Sequence, residues 1–338
     1  MAAGPVGEQS PPAVERTPIA GFWRRLAAFL IDGIILGVPA LLLGLAVFRW
    51  AASLGQAGRL IGFVVALIYF GLLNSRLGGG QTLGKRLLGI RVTDRAGKAL
   101  SPMRSVLRFL VLAIPYFLNG LWFDVNGASV GAMEYLLGAV FIFVVFGGIG
   151  AIVYLFVFNR RTRQSLHDLA VGSFVVRGPP AAVPIGLSTP RLHLIVIGCW
   201  LTLALIAPGV GIWVARDSSL TASLKPLGEL QAAIKAQLGV RQVKITVGHT
   251  TTAWVRAGTS TTSYLKVVAQ AGEGHKDLDA LLPAIASTVL NLHPDLLGNQ
   301  VLIVQVKRGF DLGIVRWSQT HGEALDAAAW REKLAPQQ

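Results

Sequence analysis

The fold of this chain is decided by residues 21–48, which read GFWRRLAAFLIDGIILGVPALLLGLAVF. After Arg24 and Arg25 the stretch is apolar except for one carboxylate, Asp32. A helix rises about 1.5 Å per residue, so about 20 apolar residues cross the hydrocarbon core of a bilayer, which is about 30 Å thick. The stretch is therefore predicted to be a membrane-spanning helix with one acidic side chain inside the membrane.

The composition of the whole chain agrees with a membrane protein. Only 14% of the 338 residues are charged, 53% are apolar, and the mean hydropathy is +0.57. Soluble globular proteins carry about 25% charged residues, so these values exclude an ordinary cytosolic enzyme. The sequence predicts a bundle of five membrane helices at residues 26–48, 60–76, 106–123, 135–158 and 192–215. The third of these spans is irregular because it contains Arg108 and Pro115.

The basic residues indicate how the chain crosses the membrane. Arginine and lysine are frequent before the first span and in the predicted loops 77–105 and 159–191, and scarce in the two loops between them. Loops rich in these residues stay on the cytoplasmic side. We therefore expect a bacterial inner-membrane protein with a cytoplasmic amino terminus. Residues 1–20 are predicted to be a disordered tail, and residues 216–338 to lie on the periplasmic side.

Residues 216–338 have the composition of a soluble domain. They hold 13 basic and 10 acidic residues, so most of the net charge of +14 belongs to the membrane part, where it suits contact with lipid headgroups. Stretches with helical spacing alternate with β-rich runs, which predicts an α+β domain. The runs 301–306 and 310–317 are predicted to form a hairpin through residues 307–309. The helices are expected at residues 219–238, 276–290 and 323–334, and the other strands near 243–247, 251–256 and 263–269.

Asp32 is the most informative residue in the chain. A carboxylate inside an apolar helix costs several kcal/mol unless it faces a partner or a watery cavity. Arg25 lies almost two helical turns earlier and so on the same face, where it could reach Asp32 directly or through a third group. Two interpretations stay open: a structural contact between helices, and a site for an ion or a proton. The neighbouring pair Gly33 and Gly37 favours close packing of another helix.

Residues 79–86 read GGQTLGKR and resemble a phosphate-binding loop. The segment lacks the hydroxyl that would hold magnesium, and it follows a membrane helix instead of a strand, so we do not predict nucleotide binding. We predict an amphipathic cytoplasmic segment that begins with a helix cap and presents its basic residues to anionic headgroups. Its motif residues are Gln81, Thr82 as the cap, Gly84, Lys85 and Arg86.

A second polar motif, RRTRQSLHDL, occupies residues 160–169. We expect the β-rich residues 173–177 that follow to pair with residues 89–95 in a small cytoplasmic sheet. Asp168 would then face the basic membrane edge near Arg25. His167 beside Asp168 is weak evidence for acid–base chemistry, because neighbours in sequence usually point apart.

Three of these motifs together resemble the RDD family of multispan membrane proteins. They are GFWRRLAAFLIDGIILG from residue 21, GGGQTLGKRLLGIRVTDRAGKALS from residue 78 and NRRTRQSLHDLAVGSFVVR from residue 159. The family is named for one arginine and two aspartates, which the resemblance places at Arg25, Asp32 and Asp168. The resemblance covers about residues 20–178. It implies a four-span membrane domain, residues 21–178, and transport of unidentified ligands, with cation/proton antiport associated with some members.

Two functions remain open. In the first, Arg25, Asp32 and Asp168 form a cation or proton site of a small transporter. In the second, the bundle anchors residues 216–338, which would bind a protein partner in the envelope. We expect no enzyme activity, cofactor, metal or nucleic acid. The chain has one cysteine, Cys199, and the four histidines of the last region lack the spacing of metal ligands.

Overall fold

The computed structural model describes residues 19–121, 132–216 and 219–335, apart from residues 181, 185, 255–257, 273, 276 and 299. Most of the predicted tail, residues 1–18, lies outside the described residues. The last two residues assigned to that tail are wrongly placed there, since Ile19 and Ala20 are buried. Ile19 forms a β-bridge with Val176, and the amide of Ala20 donates to the carbonyl of Val175 at 2.8 Å. These backbone bonds anchor the start of the first helix to a strand.

The first part of the chain is helical, with one small sheet. Its elements are α1 (Phe22–Ala46), α2 (Phe48–Ser53), α3 (Gly58–Leu73), α4 (Leu83–Leu87), β1 (Ile90–Asp94), α5 (Pro102–Leu118), α6 (Ala132–Ile142), α7 (Gly148–Phe158), α8 (Leu166–Val171), β2 (Ser173–Arg177) and α9 (Arg191–Arg216). A π-helical turn, Phe143–Gly147, joins α6 to α7.

Among the described residues, four helices are long and apolar enough to cross a membrane: Phe22–Ala46, Gly55–Leu73, Leu136–Phe158 and Arg191–Gly211. The remaining predicted span, the third at residues 106–123, corresponds to α5, and the count of five is not confirmed. α5 has 17 residues and begins at a Ser101 cap with Pro102 in its first turn. It also includes Arg104 and Arg108, which lower its hydropathy. The predicted extension to residues 122 and 123 falls outside the described residues.

The predicted small sheet is confirmed. β1 and β2 pair antiparallel from Ile90 opposite Arg177 to Asp94 opposite Ser173. The start of α1, the end of α3 and the start of α5 all lie beside this sheet, and we call this end of the helical part the sheet end.

The last part of the chain is a helix layer on a sheet. Its elements are α10 (Ser219–Leu238), β3 (Gln242–Trp254), β4 (Gly258–Gln270), α11 (Leu281–Leu292), β5 (Val301–Asp311), β6 (Arg316–Leu325) and α12 (Ala327–Leu334). The strand order is β3-β4-β5-β6, with β4 and β5 parallel and the other pairs antiparallel. Leu230, Ile285 and Trp330 from the three helices pack against Leu265 and Val304 of the sheet.

The predicted turn at residues 307–309 is wrong. These residues continue β5, which ends at Asp311, and the chain reverses over residues 312–315 instead. Lys307, Arg308 and Gly309 have the composition of a turn, but Gly309 is needed inside the strand: a Cβ there would overlap the carbonyl oxygen of Trp317. The hairpin is therefore longer than predicted, and its tip extends beyond the sheet.

The tip of the β5–β6 hairpin docks onto the helices at the end opposite the sheet end, which we call the hairpin end. Phe310 and Leu312 are buried against Ala51 and the ends of α1 and α2. Gly58 and Gly62 let the turn lie directly on α3, because a Cβ at Gly62 would overlap the carbonyl oxygen of Leu312.

Arg59 fixes this contact electrostatically. Its Nη1 lies 2.8 Å from Oδ2 of Asp311 in the hairpin, and its Nε donates to the carbonyl of Phe117 in the last turn of α5 at 2.9 Å. Nη2 of Arg59 also donates to the carbonyl of Asn119 at 2.8 Å. One buried arginine thus joins the end of α5 to the hairpin.

The close approach at Gly62 predicts a stability effect. Gly62→Ala forces the hairpin turn away from α3 and costs about 1–3 kcal/mol, as overpacking does. Gly33→Ala is the matched control, because a Cβ there meets nothing within 4 Å and an alanine favours the helix. The check is the melting temperature of the detergent-solubilised protein, which should fall for Gly62→Ala only. Equal melting temperatures would contradict the docking of the hairpin.

Candidate functional site

Asp168 lies at the centre of the sheet end, in the first turn of α8, and is fully buried. Its Oδ2 lies 2.5 Å from Nη2 of Arg25, and its Oδ1 accepts from Nε and Nη2 of Arg108 at 2.9 and 2.6 Å. The hydroxyl of Ser173 donates to Oδ1 at 3.1 Å, and the amide of Ser165 donates to Oδ2 at 3.3 Å. We call Arg25, Arg108 and Asp168 the arginine–aspartate cluster.

The cluster is a fixed ion-pair network. Burial alone raises the pKa of the Asp168 carboxyl, but the charges of Arg108 and Arg25 outweigh burial and hold the pKa well below its usual range. Both arginines are themselves more than nine-tenths buried. A carboxylate with this many charge-assisted bonds stays ionised at every physiological pH.

Further contacts of Arg25 extend the network to the loop after α7. Nη1 of Arg25 donates to the carbonyl of Arg163, and its guanidinium lies 5.2 Å from the ring centroid of Phe156. The cluster thereby ties together α1, α5, α7, α8 and β2.

Asp32 forms a separate site. It is fully buried, and its three hydrogen-bond donors are all neutral groups. Its Oδ2 accepts from the hydroxyl of Thr82 at 2.6 Å, and its Oδ1 accepts from the hydroxyl of Tyr69 at 2.6 Å and from the amide of Gly84 at 2.8 Å. Gly84 is required there, because a Cβ would overlap the carbonyl of Ala28 and lie 2.9 Å from Oδ1 of Asp32. We call these contacts the Asp32 site.

The two aspartates therefore have different partners. Arg25 and Asp32 share a face of α1, as predicted, but the carboxylate partner of Arg25 is Asp168 and not Asp32. The expectation that Asp168 faces Arg25 agrees with the geometry. The carboxylate of Asp32 is satisfied by Tyr69 of α3 and by Thr82 and Gly84 after that helix, which the sequence alone did not suggest.

The other motif residues lie around these two sites. Thr82 caps α4, as predicted, by accepting from the amide of Lys85. Gln81 donates to the carbonyl of Ile90 at 2.9 Å. Arg86 is exposed and donates to the carbonyl of Gly78.

Lys85 was expected at the lipid headgroups, but its side chain turns inward. Its Nζ donates to Oδ1 of Asn74 at 2.8 Å and lies 5.9 Å from the ring centroid of Phe70. Burial and the charge of Arg108 together lower the pKa of Lys85 to about 7, while the charge of Asp32 acts in the opposite direction.

His167 is buried beside the arginine–aspartate cluster. Its Nε2 lies 3.6 Å from Oδ2 of Asp168, which is too long for a hydrogen bond. Within the described part of the chain, its Nδ1 has no hydrogen-bond partner. Burial lowers the pKa of His167 to about 3, so the imidazole is neutral at physiological pH.

A cavity of about 220 Å³ adjoins the arginine–aspartate cluster, between α1, α3, α5 and α7. It is linked to the Asp32 site through Lys85, which lines the cavity and donates to the hydroxyl of Thr82 at 3.4 Å. Its polar end is formed by Arg25, Lys85, Arg108 and His167, and its walls are aromatic and aliphatic side chains. Within the described residues, no group of three or more His, Cys, Asp or Glu side chains could hold a metal ion.

Arg108 and Tyr69 belong to the site but were not predicted to do so. Arg108 carried a usable signal, since a charged residue inside a largely apolar helix usually faces a partner. The sequence pattern alone indicates only that Arg108 makes the third predicted span irregular. Tyr69 carries no comparable signal, because a tyrosine in an apolar helix is equally typical of packing.

The comparisons with known proteins concern the helical part. Residues 19–172 match the RDD family. The chain is 26% identical over 162 residues to "Uncharacterized protein YckC" of Bacillus subtilis (strain 168), covering 48% of this chain and 86% of that protein. It is 29% identical over 129 residues to "Uncharacterized protein YxaI" of the same organism, covering 32% of this chain and 82% of that protein. No solved structure matches the chain.

The burial of the cluster predicts the effect of neutralising Asp168. Asp168→Asn leaves two buried guanidiniums without a counter-charge and should cost about 3–5 kcal/mol. Ser173→Ala, the control, removes one hydroxyl from the same carboxylate and should cost about 1 kcal/mol. Melting temperature in detergent and membrane abundance are the measurements. Equal losses for the two variants would contradict the ion-pair network.

His167 predicts a pH dependence of stability. Its pKa is about 3 in the folded protein and about 6.5 when unfolded, so between these values the unfolded chain binds the extra proton. Stability should therefore fall by up to about 1.4 kcal/mol per unit as the pH drops from 6.5 toward 4. His167→Gln should remove this part of the slope, whereas His249→Gln, at an exposed position, should not. Melting temperatures across this pH range test it, and an unchanged slope in His167→Gln would disprove the assignment.

Proposed function

Because residues 19–172 form an RDD family domain, we propose that the chain is a membrane transporter of a small solute, with its working site at the sheet end. The observation that carries the proposal is the fully buried carboxylate of Asp32 within an apolar helix. Its partner Thr82 also accepts from Lys85, one of the charged side chains that line the cavity. Intramembrane carboxylates of this kind are typical of ion and proton pathways.

The proposed placement puts the sheet end in the cytoplasm of a bacterial cell and the hairpin end at the opposite face of the inner membrane. In α1, Arg25 lies at the sheet end and Gly44 lies against Phe310 at the hairpin end. The helix rises about 28 Å over the roughly 19 residues from one to the other, which is close to the thickness of the hydrocarbon core. The arginine-rich loops lie at the sheet end, which agrees with the charge rule for cytoplasmic loops. The C-terminal domain is then periplasmic.

α5 completes the proposed count of five membrane helices. Its 17 residues rise about 26 Å, slightly less than the thickness of the hydrocarbon core. Its contacts with the hairpin turn and with Arg59 at one end, and with α8 at the other, support a helix that runs from one end of the bundle to the other.

The two aspartates have different proposed roles. Asp168 is the fixed one: a proton or cation reaching it would have to displace two guanidiniums. Asp32 is the exchangeable one, because all its partners are neutral and its charge is available to a proton or a small cation. Protonation of Asp32 would weaken its bonds to Thr82 and Gly84 and loosen α4 from α1. Such a change couples occupancy of Asp32 to movement beside the cavity.

The alternative function, a membrane anchor whose C-terminal domain binds an envelope protein, requires no movement in the bundle. The docked hairpin supports coupling between the domain and the helices instead. Under the anchor hypothesis, Asp32 is purely structural and its replacement lowers stability alone.

Flux measurements distinguish these functions. We expect proteoliposomes with the full-length protein to dissipate a pH gradient on addition of sodium, potassium or lithium. Asp32→Asn should reduce the flux at least about tenfold because an amide cannot exchange a proton. Asp94→Asn is the control, since Asp94 caps an exposed turn through the amide of Lys98.

The same proteoliposomes can also contradict the proposal. The variants must elute as the same single species and melt above the assay temperature. Equal flux in Asp32→Asn and in the parent would remove Asp32 from the mechanism. No flux in the parent, beside a known exchanger that works, would contradict ion-coupled transport.

A further inference from the structure

The cavity at the sheet end combines an apolar wall with a cationic end. Three cationic side chains, Arg25, Lys85 and Arg108, contribute to its lining, and no Asp or Glu is among the described residues that line it. Asp168 and Asp32 lie behind this lining, each turned toward its own partners. The electrostatic preference of the cavity is therefore for an anion.

Lys85 is the cation best placed to receive that anion. Its protein partners, the amide oxygen of Asn74 and the hydroxyl of Thr82, are neutral, so it lacks a direct counter-ion among its hydrogen-bond partners. By contrast, Arg25 and Arg108 are committed to Asp168. Burial lowers the pKa of Lys85 to about 7, and a bound anion would oppose that effect.

His167 supplies a second, independent sign of a ligand. Its side chain is 8% exposed and lines the cavity. Its Nδ1 is fully buried and, within the described part of the chain, has no partner. Buried polar atoms in native proteins are almost always hydrogen-bonded, so a ligand atom at this end of the cavity would satisfy it.

The cavity also opens laterally, toward the outer surface of the helices. Phe29 and Val153 line it and are about half exposed on the outer surface of the helices, where acyl chains would lie in the proposed placement. At about 220 Å³ it is smaller than the 300–1,000 Å³ of a pocket that encloses a drug-sized ligand. It fits a headgroup and the start of one chain, with the rest of the chain in the bilayer.

We propose that this cavity binds a single-chain anionic amphiphile, a carboxylate or phosphate monoester on one acyl chain, with the head at Lys85 and His167 and the chain leaving past Phe29 and Val153. The inference rests on the proposed membrane placement and deepens the proposed function by naming the substrate class.

Binding to the purified full-length protein in a neutral detergent tests the inference. The probes are lauroyl lysophosphatidate and laurate, with dodecyltrimethylammonium as the cationic amphiphile and inorganic phosphate as the anion without a chain. Native mass spectrometry counts bound molecules, and the shift in melting temperature gives apparent affinity. The two anionic amphiphiles should bind at least about tenfold more tightly than either control, since one charge-assisted hydrogen bond is worth about that factor.

Two variants locate the binding. Lys85→Gln should weaken laurate binding about tenfold without affecting dodecyltrimethylammonium, whereas Lys98→Gln, at an exposed lysine, should change neither. Val153→Trp fills the lateral opening from the lipid-facing side and should weaken both anionic amphiphiles.

Each part of the inference can be contradicted by a different result. Equal binding of inorganic phosphate would overturn the requirement for a chain, and equal binding of the cationic amphiphile would overturn the role of charge. Unchanged affinity in both Lys85→Gln and Val153→Trp would place the ligand elsewhere. Flux without amphiphile binding would overturn this inference and leave the transport proposal standing. Amphiphile binding without flux would support this inference and contradict the transport proposal.

Discussion

The paired charges of Asp168 with Arg25 and Arg108 are the interaction on which the helical part of this protein depends. Three charged groups are buried together, and none can be left alone without a large desolvation cost. In the observed geometry the carboxylate bonds both guanidiniums, the hydroxyl of Ser173 and the amide of Ser165 at once. That geometry requires α1, α5, α8 and β2 to meet at one point, which positions the small sheet against the helices.

The helical part is held at both ends by the same physical device, a buried arginine shared between elements. At the hairpin end, Arg59 of α3 bonds the last carbonyls of α5 and the carboxylate of Asp311. Small residues allow the close contacts, since Gly62 admits the hairpin turn and Gly84 admits the contact of α4 with α1. The C-terminal domain is therefore packed directly on the helices through its β5–β6 hairpin.

The division between the two aspartates follows from the groups that surround them. Charged partners make Asp168 rigid and permanently ionised, whereas the neutral partners of Asp32 leave its charge uncompensated by direct contact. The inward turn of Lys85 brings a third cation to the cavity that the arginine–aspartate cluster borders. In the proposed function, the rigid cluster forms the frame, Asp32 takes the proton or cation, and the cavity takes the solute.

The resemblance to the RDD family indicated Arg25 and Asp168. The sequence by itself determined the membrane class, the first, second, fourth and last long apolar helices, the pairing of β1 with β2 and the importance of the charge at Asp32. These features follow from local composition, since hydropathy, strand alternation and charges within apolar segments can be read from neighbouring residues. The extent of β5 could not be read in this way, because Gly309 has the composition of a turn but serves the close approach of β6. Only the tertiary structure decided that Arg25 and Arg108 share Asp168, that Asp32 bonds Tyr69, Thr82 and Gly84, and that the hairpin docks on α3. These contacts join residues about 40 to 250 positions apart, and burial of charge, which selects them, depends on the whole packed arrangement.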